Sequence, residues 1–192
     1  TCRRQRQMCI RDSENTAVGA ETLVQNTIGK FNAALGCYSL YANVDGEANV
    51  ALGWKALRNN TSADNNIAIG RTAGELITTG GNNIMIGANT DPSANTGTNQ
   101  IVIGSDATGL GDNKAVIGSA SVTDVYMAQD MGATVHADGV KFYEDTANGT
   151  NYVGFQSAAT LGGDQVWTLP TADGTDGQVL KTDGSGALAW VN

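Results

Sequence analysis

The chain has 192 residues, of which 25 are Gly, 2 are Pro and only 16% are charged, against about 25% charged in soluble domains. A net charge of −8 excludes a nucleic-acid binder, because phosphate contacts need Lys and Arg, and no apolar run reaches the ~18 residues of a membrane-spanning helix. One His and three Cys leave little material for metal or acid–base chemistry, while 41% hydrophobic residues suffice for a core, so composition points to a structural or binding protein and away from an enzyme.

Residues 1–13, TCRRQRQMCIRDS, differ from everything after them. They hold Arg3, Arg4, Arg6 and Arg11, four of the 11 basic residues, together with Cys2 and Cys9. The string resembles a translated sequencing adapter, and such a segment stands outside fold reasoning; a basic N-terminal arm is the alternative. Without it, 7 basic and 18 acidic residues remain, a net of −11, and Cys37 is left alone, so no intrachain disulfide forms. The expectation is then that the chain is a fragment of something longer.

An internal repeat organises the next hundred residues. NTAVG, NAALG, NVALG, NIAIG, NIMIG and QIVIG close on Gly19, Gly36, Gly53, Gly70, Gly87 and Gly104, each 17 residues apart. A seventh copy, KAVIG, closes on Gly118 after a 14-residue step. A weaker block, ETLVQNT, YSLYANV and KALRNNT, follows the first three copies. Side chains alternate faces along a strand. Val18, Leu35, Leu52, Ile69, Ile86, Ile103 and Ile117 therefore share a face with Val50, Ile67, Ile84 and Ile101, and the smaller column Ala17, Ala34, Ala51, Ala68 takes the other. Gly and Asn punctuation in every period excludes a helix.

These features predict an all-β chain: a parallel β-solenoid or β-roll of seven repeats with a 17-residue period, each period a short strand, a turn, a second weaker strand and a return. Asn15, Asn32, Asn49, Asn66 and Asn83, with Gln100 closing the series, predict an amide ladder along the stack at corners where Asn tolerates a left-handed backbone. The coil leaves the small-residue face as an apolar stripe, which predicts self-association with the Ala column near a symmetry axis.

After Gly118 the period stops. The expected organisation is 1–13 outside the fold, 14–122 solenoid, 123–150 connector and 151–192 a small C-terminal β module. QVLKTDGSGALAWV predicts a hairpin with residues 183–186 at its tip, and Trp167 and Trp190 are its core or interchain anchors. No catalytic, cofactor or metal residue is expected. His136 has no second His, the spacing of Asp173, Asp176 and Asp183 matches no calcium loop, and Cys37 has no neighbouring base in the pattern. Asn59, Asn60 and Asn148 match N-glycosylation acceptors, the first two on corners that would display them. Tyr38, Tyr41 and Trp54 stand at corners where they pack between coils or chains, or stack on sugars. The column Thr27, Val44, Thr61, Thr78, Asn95 is too broken for an ice-binding array.

NQIVIGSDATGLGDNKAVIG (99–118) resembles the head repeats of trimeric autotransporter adhesins and haemagglutinins. The 17-residue copies are similar to repeats of phage tail fibres, and residues 151–192 to segments of viral fibre and bacterial surface proteins. The resemblance implies a homotrimeric fibre or shaft, extracellular or on a virion, with a cell-surface glycan or receptor as further partner and neither nucleic acid nor membrane insertion. A helical bacterial surface filament polymerised end to end is the alternative. The 17-residue period exceeds that of the adhesin heads, so their topology is not carried over in detail.

Overall fold

The computed structural model describes residues 14–126, 137, 139–143, 151–156 and 167–192. Residues 1–13, His136 and Asn148 lie outside the described residues. The chain divides between residues 127 and 128 into two units. No helix occurs among the described residues.

The first unit is a parallel β-solenoid. Seven three-residue strands, β1 (Thr16–Val18), β2 (Ala33–Leu35), β3 (Val50–Leu52), β4 (Ile67–Ile69), β5 (Ile84–Ile86), β6 (Ile101–Ile103) and β7 (Ala115–Ile117), form one sheet in chain order. Pairing is parallel and in register, so Ala34 lies beside Ala51, Ala51 beside Ala68 and Ala68 beside Met85. The 14-residue last step keeps that register, with Ile101 beside Ala115.

Each strand ends on a glycine that cannot be replaced cheaply. Gly19, Gly36, Gly53, Gly70, Gly87 and Gly104 have φ between +134° and +140°, a region that disfavours a Cβ. A Cβ on Gly53 would also strike the carbonyl oxygen of Gly70 in the next coil.

The expected second strand is not a strand. Residues 20–25 and their equivalents are turns, with left-handed backbone at Glu21 and Leu23, Tyr38 and Leu40, and Lys55 and Leu57. Coils still bond to one another here, Leu40 N–H donating to the Ala56 carbonyl at 3.0 Å and Ala42 N–H to that of Arg58 at 3.0 Å. The twisted backbone turns Leu23, Leu40 and Leu57 into the coil, where they are buried.

The faces of the strand are assigned opposite to expectation. Ala34, Ala51, Ala68, Met85 and Val102 point inward and are at most 2% exposed. The larger aliphatic columns point outward. Volume decides this: the chain crosses a 17-residue coil in a few residues, and the Leu40 and Leu57 side chains already occupy the interior. One inward side chain per strand, from Ala to Met, completes the packing, whereas two Ile or Leu would overfill it.

Interior volume is also conserved along the stack. Where Leu40 and Leu57 give way to Gly74, the Asn43 and Asn60 position gives way to Ile77, and both Leu57 and Ile77 crowd the space a Gly74 Cβ would enter, at 3.0 and 3.3 Å. Loss of one large side chain is made good by gain of another.

The second unit contains two antiparallel pairs among its described residues. β8 (Gly139–Tyr143) pairs with β9 (Tyr152–Gln156), and β10 (Val179–Thr182) with β11 (Leu188–Val191). The latter is the expected hairpin, its Asp183 carboxylate accepting the N–H groups of Ser185 at 2.7 Å and Ala187 at 3.1 Å. No described residue of this unit is buried.

Candidate interaction face

Two amide columns hold the coil corners in place and so present the strands as one surface. In the first, Asn32, Asn49, Asn66, Asn83 and Gln100 each donate their backbone N–H to the side-chain oxygen of the Asn one coil earlier, at 2.7 to 3.0 Å. Asn49 and Asn83 also donate side-chain N–H groups along the stack, to Asn32 and Asn66 Oδ1 at 3.1 Å, and the side-chain N–H groups of the column cross the coil as well. Asn15, Asn32, Asn49, Asn66 and Asn83 donate to the carbonyls of Gly29, Gly46, Ala63, Gly80 and Gly97, at 2.8 to 3.0 Å. Gln100 ends the column: its longer side chain accepts Ser93 N–H at 3.0 Å and donates to Asp112 at 2.9 Å.

The second column was hidden in the weak block of the repeat, whose sixth residue is Asn26, Asn43 and Asn60. Asn43 donates to Asn26 Oδ1 at 2.9 Å and Asn60 to Asn43 Oδ1 at 2.7 Å. Each also donates to its own corner carbonyl, Asn43 to Gly46 at 3.0 Å and Asn60 to Ala63 at 3.1 Å. One corner carbonyl thus receives two buried amides. The column stops at Ile77, which leaves Asn60 Oδ1 buried without a partner.

On this frame the outward aliphatic residues form a continuous stripe. None of the strand residues β1–β7 is charged. Val18, Leu35, Leu52, Ile69, Ile101, Ile103 and Ile117 are 36–58% exposed, with Val50, Ile67, Ile84 and Ile86 half-buried between them. Neighbours in each column stand about 4.8 Å apart, the spacing of paired strands. At roughly 170–200 Å² for a fully exposed Val, Leu or Ile, the seven leave on the order of 600 Å². That is the upper end of what a monomer exposes and near the ~800 Å² each partner gives a stable interface.

The other sequence candidates fall as follows. Asn59 is exposed and donates to the Glu75 carbonyl at 2.8 Å. Asn60 is not displayed: it is fully buried inside the coil and tied into the second amide column, so no glycosyl group can reach it. Tyr38 and Tyr41 are half-buried with ring centroids 5.6 Å apart. Trp54 is exposed, but Lys55 Nζ lies 4.2 Å from its ring centroid and covers one face. No cluster of three metal-ligating side chains occurs among the described residues, and no helix among them is long and apolar enough to cross a membrane.

Three carboxylates are shifted. Burial pushes Asp91 up, against the lowering effect of the Leu76 N–H it accepts; it stands in the column of Leu40, Leu57 and Gly74. Asp106 is held down by the amide of Asn89 and the hydroxyl of Ser105, and Asp112 by the N–H of Thr98 and the Gln100 amide. All three serve contacts between coils, and the nearby Glu75 carboxylate adds to the rise of Asp91. No protein-family model, no curated protein and no solved structure matches this chain.

Proposed function

We propose that the chain is a shaft segment of an extracellular or virion fibre, in which three copies assemble through the aliphatic stripe. The observation that carries this reading is an uncharged surface seven strands long, rigid through its ladders and apolar to the upper end of what a monomer exposes. The adhesin-type repeats support the same reading. In it the Ala column is intrachain core and the Ile and Leu columns meet at the axis. The fibre offers its corners, including Tyr38, Tyr41 and Trp54, to a surface glycan or receptor. A second reading, a filament polymerised end to end, is favoured by β1 and β7, each of which has a single neighbour in the sheet.

Sedimentation equilibrium separates the two. A discrete mass three times 19.8 kDa that falls to one copy in the Ile69→Lys, Ile86→Lys double variant is expected. A monomer, or an open series of masses, would sink the trimer.

A further inference from the structure

The arm that follows each strand changes character between the second and third coils. Tyr38 and Tyr41 stand on the second coil, Lys55 and Arg58 at the same two positions of the third. The coils are in register here: Leu40 and Ala42 N–H donate to the carbonyls of Ala56 and Arg58, and Tyr38 and Lys55 share a left-handed backbone, φ +61° and +59°. The two cations are therefore set one strand spacing, about 4.8 Å, along from the two tyrosines.

The tyrosine rings, 5.6 Å apart and tilted by 59°, brace each other and stay half-exposed. Lys55 is steadied by Trp54, with Nζ 4.2 Å from the ring centroid, a cation–π contact. Arg58 is under-used. Its Nε has no hydrogen-bond partner, and its ion pair with Glu75 is 3.5 Å long, beyond the roughly 2.7–2.9 Å of a charge-assisted hydrogen bond. Its side chain is 37% exposed. In a chain of net charge −8, segments 37–42, 54–59 and 71–76 hold Lys55, Arg58 and Arg71 against Glu75 alone. Glu21 adjoins Tyr38 on the side away from Lys55.

We infer that this patch binds a carbohydrate bearing a carboxylate, the tyrosine rings stacking on the sugar while Lys55 and Arg58 pair with its acid group. This rests on the reading of the chain as a fibre that offers its corners, and it gives the ligand a chemical class. Rings and charges are what the patch has for recognition, because the backbone N–H groups of Tyr38, Leu40, Ala42 and Lys55 are spent between coils. An extended peptide would need such groups, and the net charge of −8 repels a long polyanion. A sugar acid needs one apolar ring face and one carboxylate partner, and the Arg58 fork suits the latter. Trp54 acts through Lys55, fixing where its ammonium stands.

The test is saturation-transfer NMR on the full chain with three sugars: sialyllactose and trigalacturonate, which carry the carboxylate on different rings, and lactose, which carries none. Transfer to one or both acidic sugars and none to lactose is expected, and the one that is bound identifies the sugar. The Lys55→Gln, Arg58→Gln double variant, folded as judged by circular dichroism, should bind roughly tenfold more weakly or less, as lost hydrogen bonds to a charged group imply. Added salt should weaken binding without any substitution. Equal transfer to lactose, no transfer to any sugar, or unchanged binding by the double variant overturns the proposal. The trimer is read separately, on a surface coated with the bound sugar. There the Ile69→Lys, Ile86→Lys variant should keep its NMR contact yet attach about 10²-fold less, because avidity is lost. Equal attachment would sink the trimer and leave the sugar site standing.

Discussion

The two units of this chain draw stability from different places. In the solenoid, the coils of β2 to β6 bury their strand-centre residues, such as Ala51 or Met85, inside the coil, and internal amides close their polar corners. In the second unit, the described Phe142, Phe155, Trp167 and Trp190 are all exposed, although aromatic side chains supply most of the driving force in a small β fold. A single chain therefore satisfies the first unit, whereas the described aromatic residues of the second stay exposed. The contrast teaches that strand pairing alone does not bury a side chain: what differs among the described residues is whether the apolar face of a strand meets another layer.

The contrast can be tested with tryptophan. In a Trp54→Phe background, fluorescence reports the second unit through Trp167 and Trp190, whereas far-UV circular dichroism is dominated by the solenoid.

The largest effect is expected from Asn66→Leu. It strips Asn83 N–H of its acceptor and the Gly80 carbonyl of its donor. With buried groups each costing about 1–3 kcal/mol when left unpaired, the solenoid should lose about 3–5 kcal/mol. Because the stripe lies on the solenoid, its melting temperature should rise with protein concentration, and a concentration-independent value would count against assembly through it. Gly74→Leu comes next. Overpacking against Leu57 and Ile77 should cost about 2 kcal/mol, and adding Ile77→Asn should return most of it, because the new amide meets the orphaned Asn60 Oδ1 and frees the volume. Additive melting-temperature shifts for the two changes would refute this coupling.

Ala48→Asn should stabilise by about 0.5–1 kcal/mol, since Ala48 has φ +54° and Asn, already present at Asn65, Asn82, Asn99 and Asn113 in the same column, tolerates that backbone better. Chemical denaturation measures it. The smallest effect concerns pH. The raised pKa of Asp91 means the folded state holds its proton more tightly than the unfolded one, so this group penalises the fold at neutral pH. The penalty disappears as pH falls through its raised value toward 3.8. Asp106 and Asp112 have the opposite sign, contributing above the ordinary carboxylate value and losing that contribution as pH falls through their lowered values. Asp91→Asn, which retains an acceptor for Leu76 N–H, should raise the melting temperature at neutral pH and abolish the acid-side gain. An unchanged pH profile would contradict the assignment.

Strand positions, register and the first amide column were legible in the sequence because each rests on an absolute spacing: a Gly every 17 residues and an Asn four residues before it. Sidedness was not. Alternation says that Ala51 and Leu52 face opposite ways, and which of them is inside depends on the interior radius, set by Leu40 and Leu57 from an arm with weaker periodicity. That arm was misread as a strand because Tyr38, Leu40, Lys55 and Leu57 adopt left-handed backbone, which is uncommon for such residues and carries no compositional mark. The second amide column had a signal, Asn at the sixth position of three blocks, obscured by its replacement with Ile77. Asn60 was taken for a surface acceptor on the same incomplete view.

The corner carbonyl that receives two amides has a consequence for how such a molecule changes length. Each coil carries its own donors and acceptor, Asn32 and Asn43 meeting at Gly46 and Asn49 and Asn60 meeting at Ala63, so a whole period is the natural unit of insertion or loss. Removing residues 50–66 would splice Asn49 to Ile67 with the stripe, the corner and the amide column still in line, and would shorten the stack by one strand spacing, about 4.8 Å. The 14-residue step from β6 to β7 keeps the same register with a shorter return, whereas a one-residue change within a strand would turn the Ile column into the interior. Reach is thus adjustable in fixed steps without a new fold.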